Sequence, residues 1–302
     1  MKIMILKLIK IMLIPVGLLY TLFRDQSGTV ILMYHRVNDS VKKELSVKRS
    51  DFIWQMNYLN QKGYKVITLD DAIRHFGSGN IRHKESITEN NRRDINEKEI
   101  YEEKDVEGNN KEKFAVLTFD DGYEDYYTAA FPILSIFGYP SIVFLVPGFI
   151  EKGRIFWWDR DIGESRLMKW DQIEELSESG LVQFGSHTLT HQDFTQINRM
   201  QAERELVLSR DRLEEKLSRR IKHFAYPRGI VKEEYKDIVG KIYQTGLSIF
   251  EGYKLSGRLT KNELLQLKRL PVQRSDGRLL FAPRIRGWLI AEEWIKKLMG
   301  RH

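Results

Sequence analysis

The chain of 302 residues is long enough for one large domain with a full core, and 42% hydrophobic with 30% charged residues is an ordinary globular balance. It contains no cysteine, which excludes disulfides, thiolate metal sites and cysteine nucleophiles. A formal charge of +7 and a pI near 9.3 suit an anionic partner, but no Gly-rich phosphate loop or aromatic RNA-binding signature accompanies them, so nucleic acid is not an expected partner.

Taken in chain order, residues 3–23 are nearly all apolar, interrupted by Lys7, Lys10 and Pro15. The charge-free stretch 11–23 is shorter than the roughly 20 residues a spanning helix needs. No small-x-small cleavage site follows, since the chain continues Leu22-Phe23-Arg24-Asp25. Residues 1–25 are therefore read as a signal anchor or a helix lying in the membrane interface, its lysines snorkelling; a buried first helix of the fold is the alternative.

From Val30 onward short apolar runs alternate with amphipathic stretches. Strands are predicted at 30–33, 65–68, 114–119, 141–146, 181–185, 223–226, 247–250 and 268–272, and helices at 51–61, 124–137, 170–179 and 200–217. This alternation implies parallel βαβ units, hence an α/β barrel or a doubly wound sheet, over residues 26–275. Residues 77–113 break the rhythm: rich in Asn, Glu, Lys and Arg, they offer too little apolar surface to offset their ordering entropy and read as a disordered insertion. Residues 276–302 form a basic tail in which Trp288, Ala291, Ile295 and Leu298 recur at helical spacing, with Trp294 beside them. Such a helix covers a core, a partner or a membrane.

Two segments carry the chemistry. Thr118-Phe119-Asp120-Asp121-Gly122-Tyr123 follows an apolar run and so sets two adjacent carboxylates at the carboxyl end of a strand, where parallel folds build their sites. Consecutive residues there point in different directions, so one carboxylate can bind a metal while its neighbour faces the substrate. Ser186-His187-Thr188-Leu189-Thr190-His191 ends another apolar run, and two imidazoles four residues apart share one side of a helical turn. With only 7 histidines in the chain, a pair at this spacing beside the Asp pair makes a His-His-Asp set with open positions, as in catalytic metal sites.

These two segments resemble the first two motifs of the polysaccharide deacetylase family (carbohydrate esterase family 4, with the NodB-homology domain). Phe224-Ala225-Tyr226-Pro227-Arg228-Gly229 is similar to its third motif. Ile31-Leu32-Met33-Tyr34-His35-Arg36-Val37 and Trp170-Asp171-Gln172-Ile173 resemble segments of the branch that acts on exopolysaccharides such as poly-N-acetylglucosamine. The resemblance implies a distorted (β/α) barrel of seven or eight strands. It implies that Asp121, His187 and His191 bind zinc or a similar divalent ion and that Asp120 is the general base. The oxyanion donor is then the N–H after Pro227, that of Arg228.

The chain departs from the family in two places. Ala225 stands where many relatives carry an arginine that tethers the base, with Arg228 as a possible substitute. The late Leu-x-His motif, whose histidine is the general acid, is missing, and His35 at the end of the first strand is the candidate in its stead. Tyr123, Trp158, Tyr226 and Pro227 are expected to line a sugar groove, with a core role the competing reading for the tryptophan. The resulting expectation is a metal-dependent N-deacetylase of a surface polysaccharide, membrane-associated or exported at the cell envelope through the amino-terminal segment and the carboxyl-terminal helix. Deacylation of peptidoglycan or a glycolipid precursor, or glycan binding without turnover, are the alternatives.

Overall fold

The computed structural model describes residues 2–22, 28–77, 112–162, 165–249, 255 and 259–298. Its strands in chain order are β1 (Gly28–Tyr34), β2 (Arg36–Val37), β3 (Ser46–Val47), β4 (Tyr64–Val66), β5 (Lys113–Phe119), β6 (Ser141–Leu145), β7 (Val182–Ser186), β8 (His223–Ala225), β9 (Thr245–Ile249) and β10 (Leu267–Pro271). Helices are α1 (Lys2–Leu22), α2 (Arg49–Gln61), α3 (Leu69–Gly77), α4 (Phe131–Phe137), α5 (Pro147–Ile150), α6 (Trp170–Glu178), α7 (Arg199–Leu217), α8 (Lys236–Ile242), α9 (Lys261–Leu264), α10 (Phe281–Ile285) and α11 (Ile290–Leu298). All eight predicted strands are present. Of the 77–113 insertion, residues 78–111 lie outside the described residues.

The sheet is parallel and closed. β1 pairs with both β10 and β5, completing a seven-stranded ring β1-β10-β9-β8-β7-β6-β5, and helices surround it. The eighth strand, β4, lies outside the ring beside the first residues of β5, while β6 takes the same edge further along at Thr118 and Phe119. Alternation along each strand divides the core. Ile31, Val116, Ile142, Phe144, Ala225, Leu247 and Leu267 fill the barrel, floored by Leu69 and Ala72 of α3. Val30, Leu32, Ala115, Leu117 and Phe119 face outward onto the helices. With both faces covered, β1 is buried at every residue, which is why it reads as an unbroken apolar run.

Local chemistry explains where the helices begin and break. Asn198 accepts from the Gln201 N–H while Gln201 Oε1 accepts from the Asn198 N–H, a reciprocal cap that starts α7. The predicted helix 124–137 is interrupted. Pro132 has no N–H to offer the carbonyl four residues back, and a π turn at Tyr126–Ala130 shifts the ladder by one residue before α4. Within the tail 276–302, the helix expected from Trp288, Ala291, Ile295 and Leu298 begins only at Ile290, because Gly287 turns the chain at φ 77°. The basic tail is also no appendage: Phe281 and Ile285 belong to the main core, and Phe281 packs edge-on against Trp54 and Tyr58 of α2.

Candidate active site

The carboxyl ends of β1, β5, β7, β8 and β10 border one basin at the same end of the barrel. Asp120 leaves β5 with its N–H bonded to the Tyr34 carbonyl at 3.0 Å, and Asp121 follows in the left-handed region at φ 74°. His187 leaves β7, its N–H held by the Leu145 carbonyl at 2.8 Å. The segment 187–191 differs from its expected helical turn. Thr188 (φ 64°) and His191 (φ 56°) are both left-handed, so the chain doubles back and delivers both imidazoles to one point.

That point is formed by Asp121 Oδ1, His187 Nε2 and His191 Nε2. The carboxylate oxygen lies 3.6 Å from the first nitrogen and 3.4 Å from the second, and one ligand atom from each residue falls within 4.8 Å of the others. His187 Nδ1 is 2.7 Å from the Ala225 carbonyl, which fixes the proton on that nitrogen and leaves a lone pair on Nε2. Burial pushes the His187 imidazole down to about 4, against the pull of Asp120. Burial, reinforced by His187, takes His191 to about 3. Both rings are thus neutral near pH 7. Asp121 Oδ1 is buried with no hydrogen-bond partner among the described residues. Burial, then the neighbouring Asp120 and Asp159, push the Asp121 carboxyl well above its ordinary range. Two neutral imidazole lone pairs thus converge on a carboxyl group that burial and its acidic neighbours disfavour as an anion. This donor set fits a divalent cation, which would relieve the unfavourable electrostatics.

The partner of Asp120 escaped the sequence reading. Arg269 of β10 faces into the barrel and grips the carboxylate with both prongs, Nη1 to Oδ1 at 2.6 Å and Nη2 to Oδ2 at 2.8 Å. Nη1 also reaches Thr118 Oγ1 at 3.2 Å, and the guanidinium sits over the Phe144 ring. Burial alone would raise the Asp120 carboxyl; Arg269, helped by His187 and His35, outweighs it and holds the group at about 2. An arginine on the last strand therefore occupies the tethering role that Ala225 cannot fill. The available signal was alternation: Leu267, Arg269 and Pro271 share a face, with Lys268 exposed on the other.

The remaining expected residues separate. His35 follows β1 and lies close enough to Asp120, Arg269, His191 and Asp159 for their charges to act on its imidazole, which puts it beside the basin. Burial pushes its imidazole down to about 4, and Nδ1 has no hydrogen-bond partner among the described residues. Trp158 is half-buried, stacked on Phe156 at 4.5 Å and edge-on to His191 at 4.9 Å, so it forms a wall of the basin; Trp157 beside it is 72% exposed. Tyr123 does not line a groove. It is buried beneath Trp158, donating to Asp159 at 2.6 Å and accepting from the Trp158 indole at 3.0 Å, with Arg36 over its ring. Tyr226 is likewise buried, its hydroxyl spent on the Leu265 carbonyl at 2.9 Å, and Pro227 is buried in the turn that follows. Arg228 is no substitute tether, because its guanidinium pairs with Asp193.

Comparison with known proteins adds the family and the fold. Residues 107–246 match the family model described as polysaccharide deacetylase. The Bacillus subtilis protein YxkH, whose name places it in the same family, is 23% identical over 223 residues, 74% of this chain and 64% of that protein. The poly-beta-1,6-N-acetyl-D-glucosamine N-deacetylase of Escherichia coli K12 is 27% identical over 167 residues, 54% of this chain and 21% of that protein. The chain thus spans less than two thirds of the length of either relative. IcaB from Ammonifex degensii superimposes with a TM-score of 0.64 at 22% identity, covering 87% of this chain and 97% of that one, which supports the fold. Residues 107–246 thus match a polysaccharide deacetylase domain, and the barrel that holds them is the one seen in IcaB.

Proposed function

We propose that the protein is a metal-dependent hydrolase that removes N-acetyl groups from an N-acetylglucosamine-type surface polysaccharide at the cell envelope. The observation that carries this reading is the pairing of two sites at one barrel end: three convergent lone-pair donors on Asp121, His187 and His191, and beside them an ionised carboxylate, Asp120, clamped by Arg269. The named activity of the Escherichia coli relative supports the glycan class. Zinc is the ion proposed for the three ligands. When bound there, a divalent ion supplies Lewis acidity for the acetyl carbonyl and lowers the pKa of a water.

The side chains then divide the proton work. Asp120 accepts the proton of the attacking water, and Arg269 keeps its carboxylate ionised and aimed. His35, with its pKa near 4, is neutral at rest at pH 7, so the proton it gives to the departing amine must be acquired during turnover. Asp120 has just received one and acts on His35 electrostatically. The Arg228 N–H, at a left-handed residue after Pro227, is the proposed oxyanion donor. Trp158 offers an aromatic face to a pyranose ring. Helix α1 is the proposed link to the membrane.

The direct test measures acetate release by the full chain from β-1,6-linked N-acetylglucosamine oligomers, chitin oligomers and peptidoglycan, alongside elemental analysis of the bound metal. Acetate from the first substrate and a metal at one per chain are expected; no acetate from any of them would overturn the proposal. His35→Gln should lower turnover by about 10²–10⁴-fold with the metal retained, as loss of a general acid does. Wild-type turnover in that variant would remove His35 from the mechanism.

A further inference from the structure

Helix α1 is apolar and long enough to cross a membrane by composition, with a mean hydropathy of 2.1 over Ile3–Thr21. Its contacts are not those of a free span. Lys10, in the middle of the helix, is 2% exposed and donates to Gln273 Oε1 at 2.7 Å, Ser275 Oγ at 2.5 Å and Asp276 Oδ1 at 2.8 Å. Asp276 also receives Arg284 through Nε at 2.6 Å and Nη2 at 2.8 Å, and Arg284 Nη2 reaches Glu292 Oε2 at 2.8 Å. Glu292 Oε1 lies 3.7 Å from Lys10 Nζ. Two cations and two carboxylates thus meet in one buried cluster, which Ser275 extends to Glu44 Oε2 at 2.6 Å, and removing Lys10 would leave its carboxylates short of a cation. Two turns further on, the helix touches backbone to backbone: a Cβ on Gly17 would fall 1.9 Å from the Trp288 carbonyl oxygen. Tyr20 then meets Trp294 edge-on at 5.2 Å.

Lys10, Gly17 and Thr21 recur at helical spacing on the docked face. The opposite face carries Leu8, Met12 and Leu19, which are 56%, 78% and 62% exposed, flanked by Ile5 and Val16. No charged side chain interrupts this outer strip. Its direction relative to the catalytic basin follows from the topology. Gln273, Ser275 and Asp276 lie just beyond the carboxyl end of β10, the same end of the barrel that bears Asp120, Asp121 and His187.

We infer that α1 lies flat in one leaflet of a lipid bilayer, its Leu8–Met12–Leu19 face in the acyl region, and that the Lys10 cluster clamps it to the catalytic end of the barrel so that the basin is held at the membrane surface. This rests on the membrane link proposed above and specifies its geometry. A spanning orientation is opposed by the contacts themselves. From Lys10 to Tyr20 the helix runs about 15 Å along the folded domain at ~1.5 Å per residue, about half of the ~30 Å hydrocarbon thickness. Spanning would carry the buried ion cluster and the surface arginines Arg278 and Arg286 beside it into hydrocarbon. Lying flat immerses only the uncharged outer face by roughly 5–10 Å. Half-exposed Trp294 of α11, edge-on to Tyr20, adds an apolar side chain beside that helix.

Depth measurement tests this without reference to activity, so its failure is separable from failure of the deacetylase reading. The chain has no cysteine, so Met4→Cys, Met12→Cys and Leu19→Cys each give the full-length protein one labelling site for a polarity-sensitive dye. On vesicles of phosphatidylcholine and phosphatidylglycerol, all three dyes should be quenched alike by a spin label near the headgroup and weakly by one near the bilayer centre. Deep quenching at Met12 with shallow quenching at Met4 and Leu19 would establish a span and overturn the inference, as would no quenching at any site. The triple variant Leu8→Asp, Met12→Asp, Leu19→Asp should bind vesicles at least about tenfold more weakly and keep its activity on soluble oligomers, since carboxylates on the immersed face are expelled from the acyl region. Lys10→Met raises the apolar content of the helix yet removes the clamp. It should retain vesicle binding and let the Met12 dye sink toward the centre; an unchanged depth would refute the clamp.

Discussion

His187→Ala, His191→Ala and Asp121→Asn are each expected to abolish metal retention and acetate release together. Loss of an outer partner of a metal ligand commonly costs 10–100-fold in affinity, so loss of one of three ligands themselves should exceed about 100-fold. Asp121→Asn is the most informative, because its effect on stability should change sign with the metal. Without metal, burial and then the neighbouring Asp120 and Asp159 penalise the charged form of Asp121, so folding at neutral pH costs either that charge or a proton, and an amide removes the cost. The variant should therefore melt at or above the temperature of the chelated wild type. With metal at a hundredfold excess over its dissociation constant, wild type gains roughly 2.7 kcal/mol by mass action, and the variant gains almost nothing. Thermal melts in chelator and in zinc read both arms. A variant that is destabilised in chelator and still stabilised by zinc would show that Asp121 is not a ligand.

What could be read from the sequence was local. The strands were legible because a parallel barrel covered on both faces demands unbroken apolar runs, as in β1 and β6. Asp120 and His187 could be placed at strand ends because each directly follows such a strand, with Asp121 one residue on. What escaped depends on closure or on contacts distant in sequence. Arg269 stands in a basic region, and only the register of the closed barrel decides that it points inward to Asp120 while Lys268 points out. Lys10 read as a snorkelling lysine because its acid, Asp276, is 266 residues away and sits at the head of a basic tail. Tyr123 and Tyr226 read as groove residues from their place in the motifs, but each is buried with its hydroxyl spent on a partner inside the protein. A four-residue His spacing suggested a helical turn, and two left-handed residues reach the same convergence by another route.

Asp120→Asn should retain the metal and bind glycan, yet lose about 10²–10⁴-fold in turnover, the usual worth of a general base. Arg269 gives the sharper experiment. In Arg269→Met the buried Asp120 carboxyl loses its main cation, so burial dominates and its pKa rises from about 2. A base must be ionised to act, so the acid limb of the pH–rate profile should move to higher pH, with turnover partly recovering as pH increases. Arg269→Lys keeps the charge and loses the two-pronged grip; its acid limb should stay low while turnover falls through poorer orientation. Stability separates this from a purely structural role. Removing one partner of a buried pair costs about 3–5 kcal/mol, whereas replacing both is often close to neutral. Arg269→Met should therefore melt well below wild type, and Asp120→Asn with Arg269→Met should recover much of that loss while remaining inactive. If Arg269→Met lowers stability but leaves the acid limb where it was, the arginine serves the barrel and not the base, and another group must hold Asp120 ionised.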